Sequence, residues 1–574
     1  MEIFGLTSGR PPLRTYAATT PEAVRPLLAR AEQAATGGRW VTLLVAYDAA
    51  PAFDPAMRVH PRTSAPSHAR TIPLAWAAEF ESLEPAAPKA GVTTGVAFEP
   101  SLDEAAFADL VRRVQRHIAD GDTYQVNLTF ALQTEAPADP ETWFHALRAA
   151  QQTPYAACLD LGDAIVLSLS PELFFEIDGR RIRTRPMKGT ARRGRWLAED
   201  EAVAQALAAS RKARAENVMI VDLLRNDIGR VAETGSVRVP ALFTAERYPT
   251  LWQLTSTVEG TRRADTTLDA IFAALFPCGS VTGAPKIRTM ELIAGIEPAP
   301  RGLYTGTIGL LRPDGSATFN VAIRTVVIDK ASQSATLGVG AGITADSDPA
   351  EEYAECLLKG AFATRAAAAQ EFDLLETMRL EGGVVARLDR HLRRMRDSAR
   401  YFGMTCDEAA IRAQLEAAVR DHPSGTWRAR LTVNARGEAA VACTPHPPPE
   451  ERPWHVAFAN APVDSRDPFL CNKTTRRPAY DKARRGRPDV DDVLLWNERG
   501  ELTESTIANV VVEIDGDRWT PPVTCGVLAG TLREELLESG AIRERVITRG
   551  EVMRAERVWL INSLRGWIEA QVVR

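Results

Sequence analysis

SPELFFEIDGRRIRTRPMKGTARRG, residues 170–194, reads as a β-hairpin. Leu173-Phe174-Phe175 and Ile182 flank Asp178-Gly179, a turn dipeptide whose glycine takes φ > 0 at low steric cost. The hairpin places a carboxylate, Glu172, at one end and Lys188 at the other, followed at once by Gly189-Thr190. Alone, such a lysine is an ordinary solvated cation. Runs further along the chain change that.

The bulk properties narrow the field. At 574 residues the chain exceeds what one hydrophobic core serves, so two to four domains are expected. Hydrophobic residues at 45% and charged residues at 25% are ordinary for a globular protein. A net charge of −5 gives no reason to expect a nucleic acid or a membrane as partner. The pairs Arg192-Arg193, Arg393-Arg394 and Arg476-Arg477 are local and suit small anions. Seven scattered cysteines without CxxC spacing fit reduced thiols, and the eight histidines form no HExxH pattern. With no signal pattern and no apolar run of membrane length, a cytoplasmic protein is expected.

The chain is organised as α+β with large mixed or antiparallel sheets. Residues 1 to about 95 alternate apolar runs such as Trp40–Val45 with proline-rich loops. Ser101-Leu-Asp-Glu104 reads as a capping box for a helix with Phe107, Leu110, Val111, Val114 and Ile118 on its apolar face. That helix is expected to pack on a sheet of 124–133, 155–169 and the 172–184 hairpin. A long helix is expected over 199–224, another near 286–294, and alternating strands from 303 to 343. The alanine-rich stretch near 361–369 reads as a helix end and linker, or as an ordinary surface helix. A boundary near 366 gives domains 1–365 and 366–574, with a sub-boundary near 450 at Pro447-Pro448-Pro449.

Several runs of the first domain suit an anion. The helix around 215–231 carries Glu216, and FPCGSVTGAPK (276–286) is a glycine-rich turn with Thr282, Gly283 and Lys286. Tyr304 and Arg324 follow, then Gly340 and Gly342. Glu352, Glu355 and Lys359 share one helix face by i, i+3 and i, i+4 spacing. An acidic pair is often a solvated face, but with Glu216 these glutamates form an all-oxygen set suited to Mg²⁺.

These runs resemble the chorismate-utilising enzymes, which include anthranilate synthase component I, aminodeoxychorismate synthase component I, isochorismate synthase and salicylate synthase. The resemblance covers residues 100–365 through six separated motifs in order. It implies that Glu216 and Glu355, with Glu352 close by, hold Mg²⁺ on the ring carboxylate of chorismate. The glycine turn, Tyr304, Arg324 and Lys359 match positions that hold the two carboxylates, and Glu172 matches the acid that assists departure of the ring C4 hydroxyl. Pro186-Met187-Lys188-Gly189-Thr190 has lysine where anthranilate synthases have alanine, as aminodeoxychorismate synthases do. By the resemblance, Lys188 adds to ring C2 as the hydroxyl leaves, and ammonia then enters at C4. A neutral amine is needed, so the lysine pKa must fall; burial lowers it and Glu172 opposes that. The family histidine before Leu-x-Ser is Gln253 here, which cannot titrate. No glutaminase triad region is present, so ammonia is expected from a separate glutamine amidotransferase subunit or from free ammonium.

The second domain offers Lys473 in CNKTTR, Glu504 in LTESTIAN, and a glycine-containing loop, 526–533, that opens a helix. Pyridoxal 5′-phosphate needs those parts: an amine for its aldehyde, an acid on its pyridine nitrogen and a phosphate seat. The set resembles the fold-type IV PLP enzymes, which include branched-chain and D-amino-acid aminotransferases and aminodeoxychorismate lyase. The resemblance implies Lys473 as the Schiff-base lysine, Glu504 at the pyridine nitrogen, and phosphate on the Thr531 and Leu532 amides with Arg394. Residues 562–566, NSLRG, match a substrate-side run.

Together the halves lead to an expected bifunctional enzyme of 4-aminobenzoate synthesis, a route to folate, with a homodimer through the second domain as a further expectation. Two other readings stay open: an anthranilate-synthase-like or aminodeoxychorismate synthase half fused to a PLP aminotransferase, and a regulator that binds chorismate or PLP without chemistry. The regulator predicts losses at Lys188, Glu172, Glu216, Glu355 or Lys473, and all five are present.

Overall fold

The structure is a computed structural model, described for residues 1–62, 71–87, 89, 96–364, 372–448 and 452–573. Two compact units emerge. One comprises Met1–Arg192 and Ala204–Ala369, the other Arg193–Val203 and Gln370–Arg574. The boundary expected near 366 and the sub-boundary near 450 lie outside the described residues.

Strand alternation builds the first unit. In Trp40–Val45, Val41, Leu43 and Val45 face a helix layer, while Leu44 faces a second sheet. Two ten-stranded antiparallel sheets thus share an inner core that includes Leu44, Ile308, Leu159 and Val166. Helices cover both outer faces: Pro21–Thr36 buries Val24, Leu27, Leu28 and Ala31 on one side, and Glu104–Ala119 buries Phe107, Val111 and Val114 on the other. Each fully buried leucine contributes about 1.5–3 kcal/mol, so these stripes fix which helix faces turn inward.

The hairpin forms as read, Leu173–Asp178 with Arg181–Arg185, and Gly179 takes φ 57° at its turn. Its sheet differs from expectation. It pairs with Ala317–Val321 and Leu251–Thr261, whereas Gln125–Glu135 and Tyr155–Asp160 lie in the other sheet. Lys188 is not on the hairpin but on the next strand, Met187–Arg192, paired with Leu251–Thr261. The expected capping box is replaced by Asp103, whose side chain accepts from the Ala106 amide. The single long helix is two, Leu197–Ala209 and Arg211–Gly229, because Ser210 turns extended and caps the second.

The second unit has a four-stranded antiparallel sheet (Val384–Val385, Leu374–Glu381, Thr426–Val433, Ala439–Pro445) covered by helices Leu388–Phe402 and Glu408–Asp421. In its eight-stranded mixed sheet Trp454–Phe458 is third in order and pairs in parallel with both Asp492–Trp496 and Gly566–Val572. The fold class is α+β throughout. Among the described residues no helix is long and apolar enough to cross a membrane.

Candidate active sites

The first site forms where both sheets and their helices converge. Glu172 precedes the strand Leu173–Asp178, Glu216 rides on Arg211–Gly229, and Glu352, Glu355 and Lys359 ride on Pro349–Thr364. With Lys188 they line a cavity of about 350 Å³. Tyr304, Arg324, Gly340, Gly342 and Gln253 line it too. Glycine is required at two of these places. A Cβ on Gly338 would lie 2.1 Å from the Tyr304 ring, and one on Gly342 would lie 2.3 Å from Gln125 Nε2 and 3.1 Å from Lys188 Nζ.

The electrostatics are those of an acid beside an amine. Glu172 is 3% exposed and accepts a 2.7 Å hydrogen bond from Ser280 Oγ. Burial pushes its carboxyl up to about 7, against the Ser280 hydrogen bond and the Lys188 charge. Burial, reinforced by the Lys359 charge, pushes the Lys188 pKa down, while Glu216, Glu172 and Glu355 oppose that. Desolvation therefore outweighs the carboxylates and favours the neutral amine. Lys359 donates to Glu355 Oε1 at 2.8 Å and to the Gly340 carbonyl at 2.9 Å. Burial would raise the Glu355 pKa, but Lys359 outweighs it and keeps this carboxylate charged.

Among the described residues no three acidic, histidine or cysteine side chains are grouped so as to hold a metal ion by themselves. The donor chemistry still fits Mg²⁺, which takes one or two carboxylates and completes its shell with water and substrate oxygens. Glu216, Glu352 and Glu355 line the same cavity and would supply those carboxylates.

Three expected residues stand elsewhere. Lys286 donates to Asp227 Oδ2 at 2.9 Å and to the Leu275 carbonyl at 3.1 Å, so its charge is already matched in the core. In the glycine turn the Val281 and Thr282 amides donate to Cys278 and Gly279 carbonyls, and the Thr282 hydroxyl to Cys278. Gly283 pairs with Val126, where a Cβ would lie 2.1 Å from the Gln125 carbonyl. The turn fastens a strand edge, and its Ser280 and Val281 line the cavity.

In the second unit Lys473 follows the short helix Pro468–Cys471, and its carbonyl accepts from the Leu375 amide at 3.0 Å. Burial and the Arg394 charge lower its pKa to about 8. Glu504, on Leu502–Ser505, is pushed up to about 7 by burial. Tyr480 Oη donates to its Oε1 at 2.6 Å and Asn509 Nδ2 to its Oε2 at 3.1 Å. Lys473, Glu504, Arg394 and Thr531 line a cavity of about 340 Å³. Thr531 and Leu532 open the helix Thr531–Glu538, so their amides are in its free first turn. A half-buried amine of lowered pKa, a buried acid and helix-start amides suit pyridoxal phosphate.

Arg394 is held by Glu376 at 2.8 and 2.6 Å and donates to the Ala529 carbonyl. Glu376 also meets His391 Nδ1 at 2.6 Å; burial would raise its pKa, but Arg394 and His391 hold it at about 2. His391 Nε2 lies 2.8 Å from Ser563 Oγ. Sequence reasoning did not assign Ser280, Tyr480, Asn509, Glu376 or His391. Ser280 and Asn509 stand inside the motif runs themselves, but a partner 108 residues away leaves no local trace.

Comparison with known proteins follows the same division. Residues 15–365 match the family model for chorismate binding enzymes, and residues 373–573 match that for class IV amino-transferases. The aminodeoxychorismate synthase of Streptomyces pristinaespiralis is 47% identical over 255 residues, 44% of this chain and 35% of that protein. Anthranilate synthase component 1 1 of Haloarcula marismortui is 44% identical over 268 residues, 47% of this chain and 54% of that one. The chain thus spans between about a third and about half of these relatives. The crystal structure of anthranilate synthase component I from Streptococcus pneumoniae superposes with a TM-score of 0.51 at 27% identity, over 57% of this chain and 81% of its own.

Proposed function

The chain belongs to the chorismate binding enzymes, and from that premise we propose that it makes 4-aminobenzoate from chorismate and ammonia in two steps. The first unit replaces the C4 hydroxyl of chorismate by an amino group, releasing water. The second eliminates pyruvate from 4-amino-4-deoxychorismate to leave 4-aminobenzoate. The observation that carries the reading is the half-buried Lys188, its pKa pushed down, in one cavity with the protonatable Glu172.

In the first step Glu172, near its midpoint at neutral pH, donates a proton to the departing C4 hydroxyl while Lys188 adds at ring C2. Ammonia then bonds to C4 and Lys188 leaves as the free amine. Glu216 and Glu355, with Glu352, would hold Mg²⁺, which neutralises carboxylate charge on the substrate. Tyr304, Arg324 and Lys359 orient the substrate's two carboxylates. Ammonia comes from a glutamine amidotransferase partner.

In the second unit Lys473, Glu504, Arg394 and the Thr531 and Leu532 amides would hold pyridoxal phosphate, which supplies an electron sink for carbanion chemistry. Lys473 takes the C4 proton, and aromatisation favours loss of enolpyruvate. Arg428 and Arg430 line this cavity and make no ion pair among the described residues, which suits a dicarboxylate substrate better than a simple amino acid.

The anthranilate synthase relatives favour a second reading, in which the first unit forms 2-aminobenzoate. Lys188 speaks for the C4 product. The test is to incubate the full chain with chorismate, Mg²⁺ and ammonium, with and without pyridoxal phosphate. The proposal expects aminodeoxychorismate without the cofactor, and 4-aminobenzoate with equimolar pyruvate in its presence. Aminodeoxychorismate that persists with the cofactor bound would rule out the lyase step.

A further inference from the structure

The second unit contains one stretch that does not come from its own half of the sequence. Arg193–Val203 leaves the strand Met187–Arg192 and packs as part of the unit that otherwise begins at Gln370. Its contacts are specific and largely buried. Arg193 pairs with Asp200, their side chains 8% and 2% exposed, and Arg193 Nε lies 2.7 and 2.9 Å from the two carboxylate oxygens. The same guanidinium donates to the Tyr401 carbonyl at 2.8 Å and stacks 4.6 Å over the Tyr401 ring. Tyr401 Oη donates back to the Gly194 carbonyl at 2.8 Å. Gly194 has no room for a side chain, since a Cβ would lie 2.4 Å from the Asp200 amide nitrogen.

Near its start the stretch meets Asn472, the residue before Lys473. Asn472 Nδ2 donates to the Arg195 carbonyl at 2.9 Å, and Asn472 Oδ1 accepts from Ser398 at 3.0 Å. Arg195 is itself tied to the Thr524 carbonyl at 2.9 Å, in the loop that leads to Gly530 and Thr531. The peptide before Lys473 and the loop before the phosphate seat are therefore braced by one borrowed segment.

We propose that Arg193–Val203 is a positioning strap for the second active site, with Asn472, Arg193 and Asp200 as its positioning residues. This rests on the reading of that cavity as a pyridoxal phosphate site. The strap holds the Lys473 peptide at the distance and orientation at which its amine meets the cofactor aldehyde. The second half is then not separable as residues 370–574, because part of its site is encoded between residues 193 and 203.

The test uses the full chain. Asp200→Asn, the milder Tyr401→Phe and Asn472→Ala are compared with wild type by the absorbance of bound cofactor across pH and by its rate of loss on dialysis. The strap predicts that Asp200→Asn and Asn472→Ala release cofactor about tenfold faster and shift the pH at which its absorbance changes, as loss of supporting contacts does at other bound groups. Tyr401→Phe should show the same shift to a smaller degree, with folding intact by circular dichroism. Wild-type retention and an unmoved pH midpoint in all three would overturn the strap. Failure of wild type to take up pyridoxal phosphate would instead overturn the cofactor reading.

Discussion

Ser280 Oγ reaches Glu172 Oε1 at 2.7 Å, joining a glycine turn to the start of a hairpin strand 108 residues earlier. The hydrogen bond favours the carboxylate, whereas burial, the larger effect, favours the acid. Glu172 acts as a proton donor, so activity falls as pH rises through its pKa of about 7. Removing the hydroxyl removes a contact that lowers that pKa. Ser280→Ala should therefore move the alkaline limb of the pH–rate profile for chorismate consumption to higher pH. An unmoved or acid-shifted limb would contradict the role of Glu172.

The acidic limb belongs to Lys188, which must be neutral to attack. Lys359 contributes to its depressed pKa, second to burial. Lys359→Met should raise the Lys188 pKa and move the acidic limb to higher pH, besides weakening chorismate binding. Saturating chorismate separates the two effects, since only the limb position reports on Lys188.

Lys473 is predicted to capture the cofactor aldehyde as a free amine. With its pKa at about 8, the rate of pyridoxal phosphate uptake by apoprotein should climb with pH through that value and then level off. Stopped-flow absorbance reads this directly. A rate independent of pH from about 6 to about 9, a window that brackets the pKa of about 8, would exclude Lys473 as the group that bonds the cofactor.

Arg428 and Arg430 face the second cavity from the strand Thr426–Val433, whose alternate residues Ala429 and Leu431 enter the core. Arg430→Ala should raise KM for aminodeoxychorismate by about tenfold, on the scale of one charged hydrogen bond, and change kcat little. Equal KM for mutant and wild type would leave the dicarboxylate preference without support.

The α+β class and the hairpin were legible because they depend on local signals, a turn glycine and apolar alternation, and the i, i+3, i+4 spacing put Glu352, Glu355 and Lys359 on one helix face. Glu172, Lys188, Tyr304 and Arg324 were singled out through the family motifs and line the same cavity. The sheet that receives the hairpin was not legible, since pairing with Ala317–Val321 joins segments over a hundred residues apart. Lys286 was misassigned for a related reason. A lysine after a glycine turn looks the same whether it meets a ligand or Asp227 in the core. The break at Ser210 was missed because alanine-rich flanks hide a cap inside helical periodicity. Least legible of all was the placement of Arg193–Val203: its helical part could be expected, but its packing against Tyr401 and Asn472, more than 200 residues away, leaves no local trace.

The central claim concerns which ring carbon of chorismate receives nitrogen in the Lys188 cavity. The most direct measurement is the identity of the aminobenzoate that the full chain forms from chorismate, ammonium, Mg²⁺ and pyridoxal phosphate, resolved by chromatography against both isomers. The account predicts 4-aminobenzoate from wild type and none from Lys188→Ala. Formation of 2-aminobenzoate by the wild-type chain would contradict it and make the first unit an anthranilate synthase.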